Sequence, residues 1–121
     1  MRAVLLVDQK LHTAELMKTY LRIDGYEVDH TQDPGEALEL ADRVRYGVVL
    51  TDLEMPGMNG IDLYREITQH DVRVRFVFLI MPSGDVLRLL GSLERDDVIR
   101  KEPLSINEVI SKVRAAFTNS R

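Results

Sequence analysis

Cysteine is absent from the 121 residues, which excludes disulfides and thiolate-bound metals and makes a cytoplasmic protein the default expectation. Long apolar runs are missing as well. None approaches a membrane span, and the first apolar segment, Ala3 to Val7, meets Asp8 too soon for a signal-peptide layout. Excess positive charge is lacking, with 16 Lys plus Arg against 20 Asp plus Glu and a net charge of −4. That mild acidity argues against direct nucleic-acid binding, and Arg43, Arg45, Arg73 and Arg75 read as solvated charges near loop ends. His12, His30 and His70 have no companion ligand at metal-motif spacing and are expected on the surface. No Ser/Thr/Gly-rich phosphate loop follows the first apolar run, which argues against a flavin site of that kind. Linkers, repeats and low-complexity segments are absent too, so residues 1–121 read as one domain, long enough to bury its own core.

What is present is an ordinary mixture, 45% hydrophobic and 30% charged, arranged as short apolar runs alternating with amphipathic stretches. Arg2 to Val7 predicts a buried strand. From about Leu11 a helix carries Ala14, Met17 and Leu21 on one face, and Gly25 stops it. Tyr26 to His30 is a shorter, more polar strand suited to a sheet edge. Asp33-Pro34-Gly35-Glu36 opens a second helix with an N-cap, a first-turn proline and a Glu at capping-box spacing; its apolar face is Ala37, Leu40, Ala41 and Val44. Gly47 to Thr51 is the third strand. A helix after Gly60 turns Leu63, Tyr64 and Ile67 inward, and Arg75 to Ile80 forms a fourth strand, broken by Pro82-Ser83-Gly84. A fourth helix is expected from about Asp85 to Leu93 and a brief fifth strand from Asp97 to Arg100. The last helix opens on a Ser105–Glu108 capping box and carries Ile106, Val109, Ile110, Val113 and Phe117 at helical spacing. Five strands alternating with five helices through short loops give an α/β fold, a doubly wound parallel sheet covered on both faces.

One stretch organises the rest. Val48-Val49-Leu50-Thr51 is an apolar run that stops on Asp52, and turn residues follow at Pro56-Gly57 and Asn59-Gly60. Carboxyl ends of strands in open α/β sheets face the crevice where ligands bind, so Asp52 is placed for chemistry. Asp52, Met55, Pro56, Met58 and Gly60 together resemble the phosphoacceptor loop of bacterial two-component response-regulator receiver domains. The resemblance runs over essentially the whole chain. It implies a (βα)5 flavodoxin-like sheet of order 2-1-3-4-5 and a non-enzymatic signalling module. It also implies phosphorelay from a histidine kinase or phosphotransfer protein to Asp52, with Mg²⁺ as the cofactor.

The same resemblance assigns the other site positions, and several depart from the family. Asp8 falls on the first acidic position, but Gln9 stands where the family places its second acid, the direct metal ligand. A Gln carbonyl brings no charge to a hard dication, so the metal set reduces to Asp8, Asp52 and the backbone carbonyl of Glu54, with Gln9 as a weak replacement. Weak Mg²⁺ binding is expected. The hydroxyl donor at the end of strand four aligns with Met81, whose thioether cannot donate a hydrogen bond; Ser83 lies two residues on, beyond the restricting Pro82. For the family's lysine two positions compete. Counting from the start of the motif gives Lys101, whereas counting back from Pro103-Leu104-Ser105 gives Glu102, which the spacing of the final helix favours slightly. The strand-five aromatic is replaced by Val98 or Ile99. Asp52-Leu53-Glu54 also has a likeness to the Asp-x-Asp of haloacid-dehalogenase phosphatases, but the second acid is Glu and no cap domain fits in this length.

Two readings follow. One is an atypical receiver, phosphorylated at Asp52 with impaired efficiency. The other is a phosphorylation-independent module that binds proteins. In either, a downstream partner or a homodimer would use the fourth and fifth helices and strand five, where Leu87, Leu89 and Ala116 are expected to be exposed. No effector domain accompanies the receiver pattern, so the chain acts alone or belongs to a larger regulator.

Overall fold

A computed structural model of the chain describes residues 2–81 and 98–118. Its strands are β1 (Ala3–Val7), β2 (Glu27–Thr31), β3 (Val48–Asp52), β4 (Arg75–Ile80) and β5 (Val98–Arg100). The helices among the described residues are α1 (Leu11–Ile23), α2 (Pro34–Arg43), α3 (Gly60–His70) and a C-terminal α4 (Ile106–Thr118). All five strands run parallel in the order β2-β1-β3-β4-β5. The helix expected over 85–93, together with Ser83, Leu87 and Leu89, lies outside the described residues.

Strand alternation sorts the core into two layers. Leu5, Val7, Val49, Phe76 and Phe78 face α2 and α3, while Val4, Leu6, Val48, Leu50, Val77, Leu79 and Ile99 face α1 and α4. Every residue of β1 and β3 is buried, the pattern of central strands covered on both sides. A fully buried Leu or Phe contributes roughly 1.5–3 kcal/mol, so the dozen largest buried side chains anchor the sheet firmly. β2 is the polar edge, with Glu27 and Asp29 exposed. Ala14, Met17 and Leu21 of α1 are buried, as their spacing predicts.

Local details differ from the sequence expectation in several places, among them Val44, expected on the apolar face of α2 but exposed in extended backbone beyond its last residue. Asp33 caps α2 by accepting from the Gly35 N–H, but Glu36 makes no return bond to the cap; its carboxylate accepts from Thr31 Oγ1 instead. The reciprocal capping box is at α3, where Asn59 accepts from the Asp62 N–H and Asp62 accepts from the Asn59 N–H. The sequence Asn59-Gly60 thus starts a helix as well as ending a turn. Ala116, expected on the outer surface of the last helix, is buried at 5% exposure among the side chains of α1, α4 and the sheet.

The parallel register lines up one edge of the sheet. Val7 pairs with Thr51 and Asp52 with Leu79, so Asp8 and Asp52 emerge side by side. Ile80 pairs with Arg100, and the Lys101 N–H donates to the Ile80 carbonyl, which brings Lys101 to the same edge.

Candidate functional site: a buried carboxylate pair bridged by Lys101

Asp8, Asp52 and Lys101 meet at the carboxyl edge of the sheet with 0%, 6% and 6% of their surface exposed. Lys101 Nζ lies 2.7 Å from Asp8 Oδ1 and 2.9 Å from Asp52 Oδ1. The remaining carboxylate oxygens are also held. Asp52 Oδ2 accepts from the Gln9 N–H at 2.9 Å, and Asp8 Oδ2 accepts from Thr13 Oγ1 at 2.6 Å. The Lys10 N–H adds a second bond to Asp8 Oδ1 at 3.0 Å. Four carboxylate oxygens therefore each have a protein donor, which is what burial of such a pair demands.

Their titration follows from these contacts. Burial pushes the Asp8 carboxyl up, but Lys101, Thr13 and the Lys10 N–H together outweigh it and hold Asp8 below its ordinary range. For Asp52 burial wins. Together with the neighbouring Asp8 charge it raises the carboxyl to about 6, against the lowering by the Gln9 N–H and Lys101. Burial alone would lower Lys101, yet the two carboxylates raise it above the ordinary lysine value, so its ammonium stays charged. One ammonium against two carboxylates leaves one negative charge of the pair uncompensated when both are ionised.

The loop that follows Asp52 is shaped by two glycines. Gly57 has φ +83°, the left-handed region that favours glycine. Gly60 packs so closely that a Cβ there would stand 2.6 Å from the Asp52 carbonyl oxygen and 3.0 Å from Leu53 Cα. Its N–H donates to the Leu53 carbonyl at 2.7 Å, folding the loop back on the end of β3.

Of the two lysine-position alternatives, Lys101 reaches the carboxylates and Glu102 is exposed, against the slight preference drawn from helix spacing. The reason is strand parity. Ile99 is buried, Arg100 is exposed and Lys101 is buried, so Glu102 falls on the outward phase. Gln9 sits beside the pair, but its side-chain amide is engaged elsewhere, donating to the Gln32 carbonyl at 2.7 Å. Met81 is half-buried just past β4, and Glu54 is exposed in the loop two residues beyond Asp52. Thr13 was invisible as a site residue in the sequence. Its place five residues after Asp8, in the first turn of the next helix, is the signal that could have found it. His30 is not a free surface residue either; its Nε2 lies 3.0 Å from the Asp8 carbonyl.

Among the described residues no group of three or more His, Cys, Asp or Glu is arranged to hold a metal. The carboxylate pair still fits Mg²⁺, which keeps several waters and needs only one or two protein carboxylates. A cavity of about 420 Å³ opens at the opposite edge of the sheet between α2 and α3, lined by Tyr46, Ile67, His70 and Val74 among others. It contains none of the residues of the carboxylate site. No helix among the described residues is long and apolar enough to cross a membrane.

Comparison with known proteins gives a consistent result. The model of the response regulator receiver domain matches residues 4–114. The chain is 33% identical over 121 residues to the transcriptional regulatory protein CpxR homolog of Haemophilus influenzae, covering 99% of this chain and 52% of that protein. It is 37% identical over 114 residues to the DNA-binding response regulator MtrA of Mycobacterium tuberculosis, covering 93% and 49%. This chain therefore spans about half the length of the curated relatives it matches. The non-phosphorylated HemR receiver domain of Leptospira biflexa superimposes with a TM-score of 0.84 at 27% identity, covering 100% of this chain and 98% of that one. With the parallel order, the acceptor-type loop and the family match in agreement, this chain belongs to the response regulator receiver domain family of two-component signalling.

Proposed function

We propose that Asp52 accepts a phosphoryl group from the phosphohistidine of a histidine kinase or phosphotransfer protein, and that it does so less efficiently than a receiver with a full acidic set. The observation that carries this reading is the Lys101 ammonium lying between the Asp8 and Asp52 carboxylates at the ligand edge of the sheet. In the transfer, an Asp52 oxygen forms a bond to phosphorus while the phosphorus–nitrogen bond breaks, its electron pair remaining on the imidazole. Lys101 keeps its proton and supplies a fixed positive charge near the oxygens on which negative charge accumulates. Asp8, Asp52 and the Glu54 carbonyl would hold Mg²⁺, which when bound neutralises the phosphoryl oxygens. Gln9 adds no charge to that set and Met81 offers no hydrogen-bond donor. Each lost charge-assisted contact costs roughly 1.5–3 kcal/mol, and two of them slow transfer on the order of a hundredfold or more if they act in the transition state.

A second reading, a phosphorylation-independent protein-binding module, is favoured by the satisfied state of the pair: every carboxylate oxygen already has a protein donor. In both readings output passes through β5 and α4 to a protein partner or a second copy. The DNA-binding activity in the name of one relative belongs to that longer protein.

The test is phosphoprotein yield from acetyl phosphate with and without Mg²⁺. Slow, Mg²⁺-dependent labelling that disappears in Asp52→Asn supports the acceptor reading. Absence of label under every condition supports the module.

A further inference from the structure

Two consecutive peptide groups between β1 and α1 are held at both ends. The Asp8–Gln9 peptide has its carbonyl 3.0 Å from His30 Nε2 and its N–H on Asp52 Oδ2 at 2.9 Å. The next, Gln9–Lys10, has its carbonyl accepting from Gln32 Nε2 at 2.8 Å and its N–H on Asp8 Oδ1 at 3.0 Å. A trans peptide is planar with its N–H and C=O opposed, so whatever grips the carbonyl aims the N–H. His30 and Gln32, two residues apart at the end of the edge strand, thus grip the outer side of both planes. The Gln9 side chain returns a bond to the Gln32 carbonyl at 2.7 Å and locks the two loops reciprocally. Because a carbonyl can only accept, the His30 nitrogen here is the one that carries a proton.

We infer that His30 is a positioning residue for the acceptor carboxylate Asp52 and Gln32 one for its neighbour Asp8, and that Gln9 acts through this clamp rather than as a metal ligand. The inference rests on the acceptor reading of Asp52. Rotation about the last bond of an aspartate is soft. Here it is fixed by donors on different oxygens, Lys101 on Oδ1 and the Gln9 N–H on Oδ2. Lys101 is anchored by β5; the Gln9 N–H is anchored by His30. Hydrogen bonding to the carbonyl also polarises the peptide and strengthens the N–H as a donor. The side chain at position 9 is thereby spent on loop geometry.

The experiment uses two variants of nearly unchanged size, His30→Phe and Gln32→Glu, each removing one N–H donor. Amide hydrogen exchange at Gln9 and Lys10 is read by NMR beside the initial rate of labelling by acetyl phosphate with Mg²⁺. His30→Phe should speed exchange mainly at Gln9 and Gln32→Glu mainly at Lys10, each by about fivefold, the factor carried by one ordinary hydrogen bond. Labelling should slow by about the same factor in His30→Phe. A merely structural role would loosen distant amides equally. Unchanged exchange at Gln9 and Lys10 overturns the clamp, and faster exchange with undiminished labelling overturns its role in transfer. Should the unsubstituted protein take no label at all, the acceptor reading falls and with it the positioning role in transfer, while the exchange pattern alone decides whether the clamp exists.

Discussion

Replacing Lys101 with Met keeps an unbranched apolar stem one atom shorter and removes the only cation that touches both buried carboxylates among the described residues. Asp8 and Asp52 would then face each other with peptide and hydroxyl donors alone. Breaking a buried ion pair from one side costs about 3–5 kcal/mol, because it leaves uncompensated charge behind. The loss should depend on pH with a definite sign. Without the ammonium both carboxyls rise in the folded state, so the native form binds more protons than the unfolded one, and stability falls as pH rises through the folded values. The Met variant should therefore be least impaired near pH 4 and most impaired above pH 7. Mg²⁺ should partly substitute for the missing charge, so millimolar Mg²⁺ should shift the urea midpoint of the variant more than that of the unsubstituted protein. Urea titrations at the two pH values, with and without Mg²⁺, read all of this. Glu102→Gln is the control; being exposed, it should change stability by less than about 0.5 kcal/mol. A Met variant as stable as the parent at pH 8, or a larger loss in Glu102→Gln, would refute the assignment of Lys101 as the compensating charge.

Gly60→Ala should destabilise by about 1–3 kcal/mol in urea titration and displace the Asp52 amide resonance, since its methyl would stand 2.6 Å from the Asp52 carbonyl oxygen. Gly57→Ala, with nothing within 4 Å but φ +83°, should cost about 1–2 kcal/mol and leave the Asp52 resonance in place. For Asp52 the folded carboxyl lies at about 6, above its ordinary 3.8, so its ionisation subtracts stability as pH rises through that interval. Asp52→Asn should accordingly gain on the parent by about 3 kcal/mol between pH 4 and pH 8, read from paired urea titrations. Gln9→Asp combined with Met81→Thr should raise acetyl phosphate labelling by about tenfold or more, as an added metal carboxylate and hydroxyl donor recover part of the lost contacts. A further Asp52→Asn change should abolish that gain.

The fold was legible because the elements that build it are regular. Ala14, Met17 and Leu21 mark one helix face, and Val48 to Leu50 mark a strand buried on both sides. Asp52 stood out because, at the end of such a strand and followed by Met55, Pro56, Met58 and Gly60, it resembles the acceptor position of the receiver family. Lys101 was ambiguous because two ways of counting disagreed. The alternation of Ile99, Arg100 and Lys101 carried the answer, in a strand only three residues long. Ala116 was misplaced because α4 packs against α1 as well as the sheet, which widens its buried face beyond what strand contact alone requires. The links from His30 and Gln32 to the β1–α1 loop span 22 and 23 residues and join a strand end to loop carbonyls. No periodicity encodes contacts of that kind; only the register of β1 against β2 creates them.

The substitution at position 9 acts on the resting site and on the metal in opposite directions. A second acid beside Asp8 would place three carboxylates around one buried ammonium and deepen the uncompensated charge of the metal-free form. With Gln9 the excess is a single negative charge, already softened by the Gln9 and Lys10 N–H groups. The metal-free fold is stabilised by that reduction, while the attraction for a dication falls for the same reason. The proposed weak Mg²⁺ binding and the self-satisfied carboxylate pair would thus be one property seen from two sides. A single mutation cannot restore the first without loosening the second: Gln9→Asp adds the missing charge but takes away the N–H that Gln9 donates to the Gln32 carbonyl.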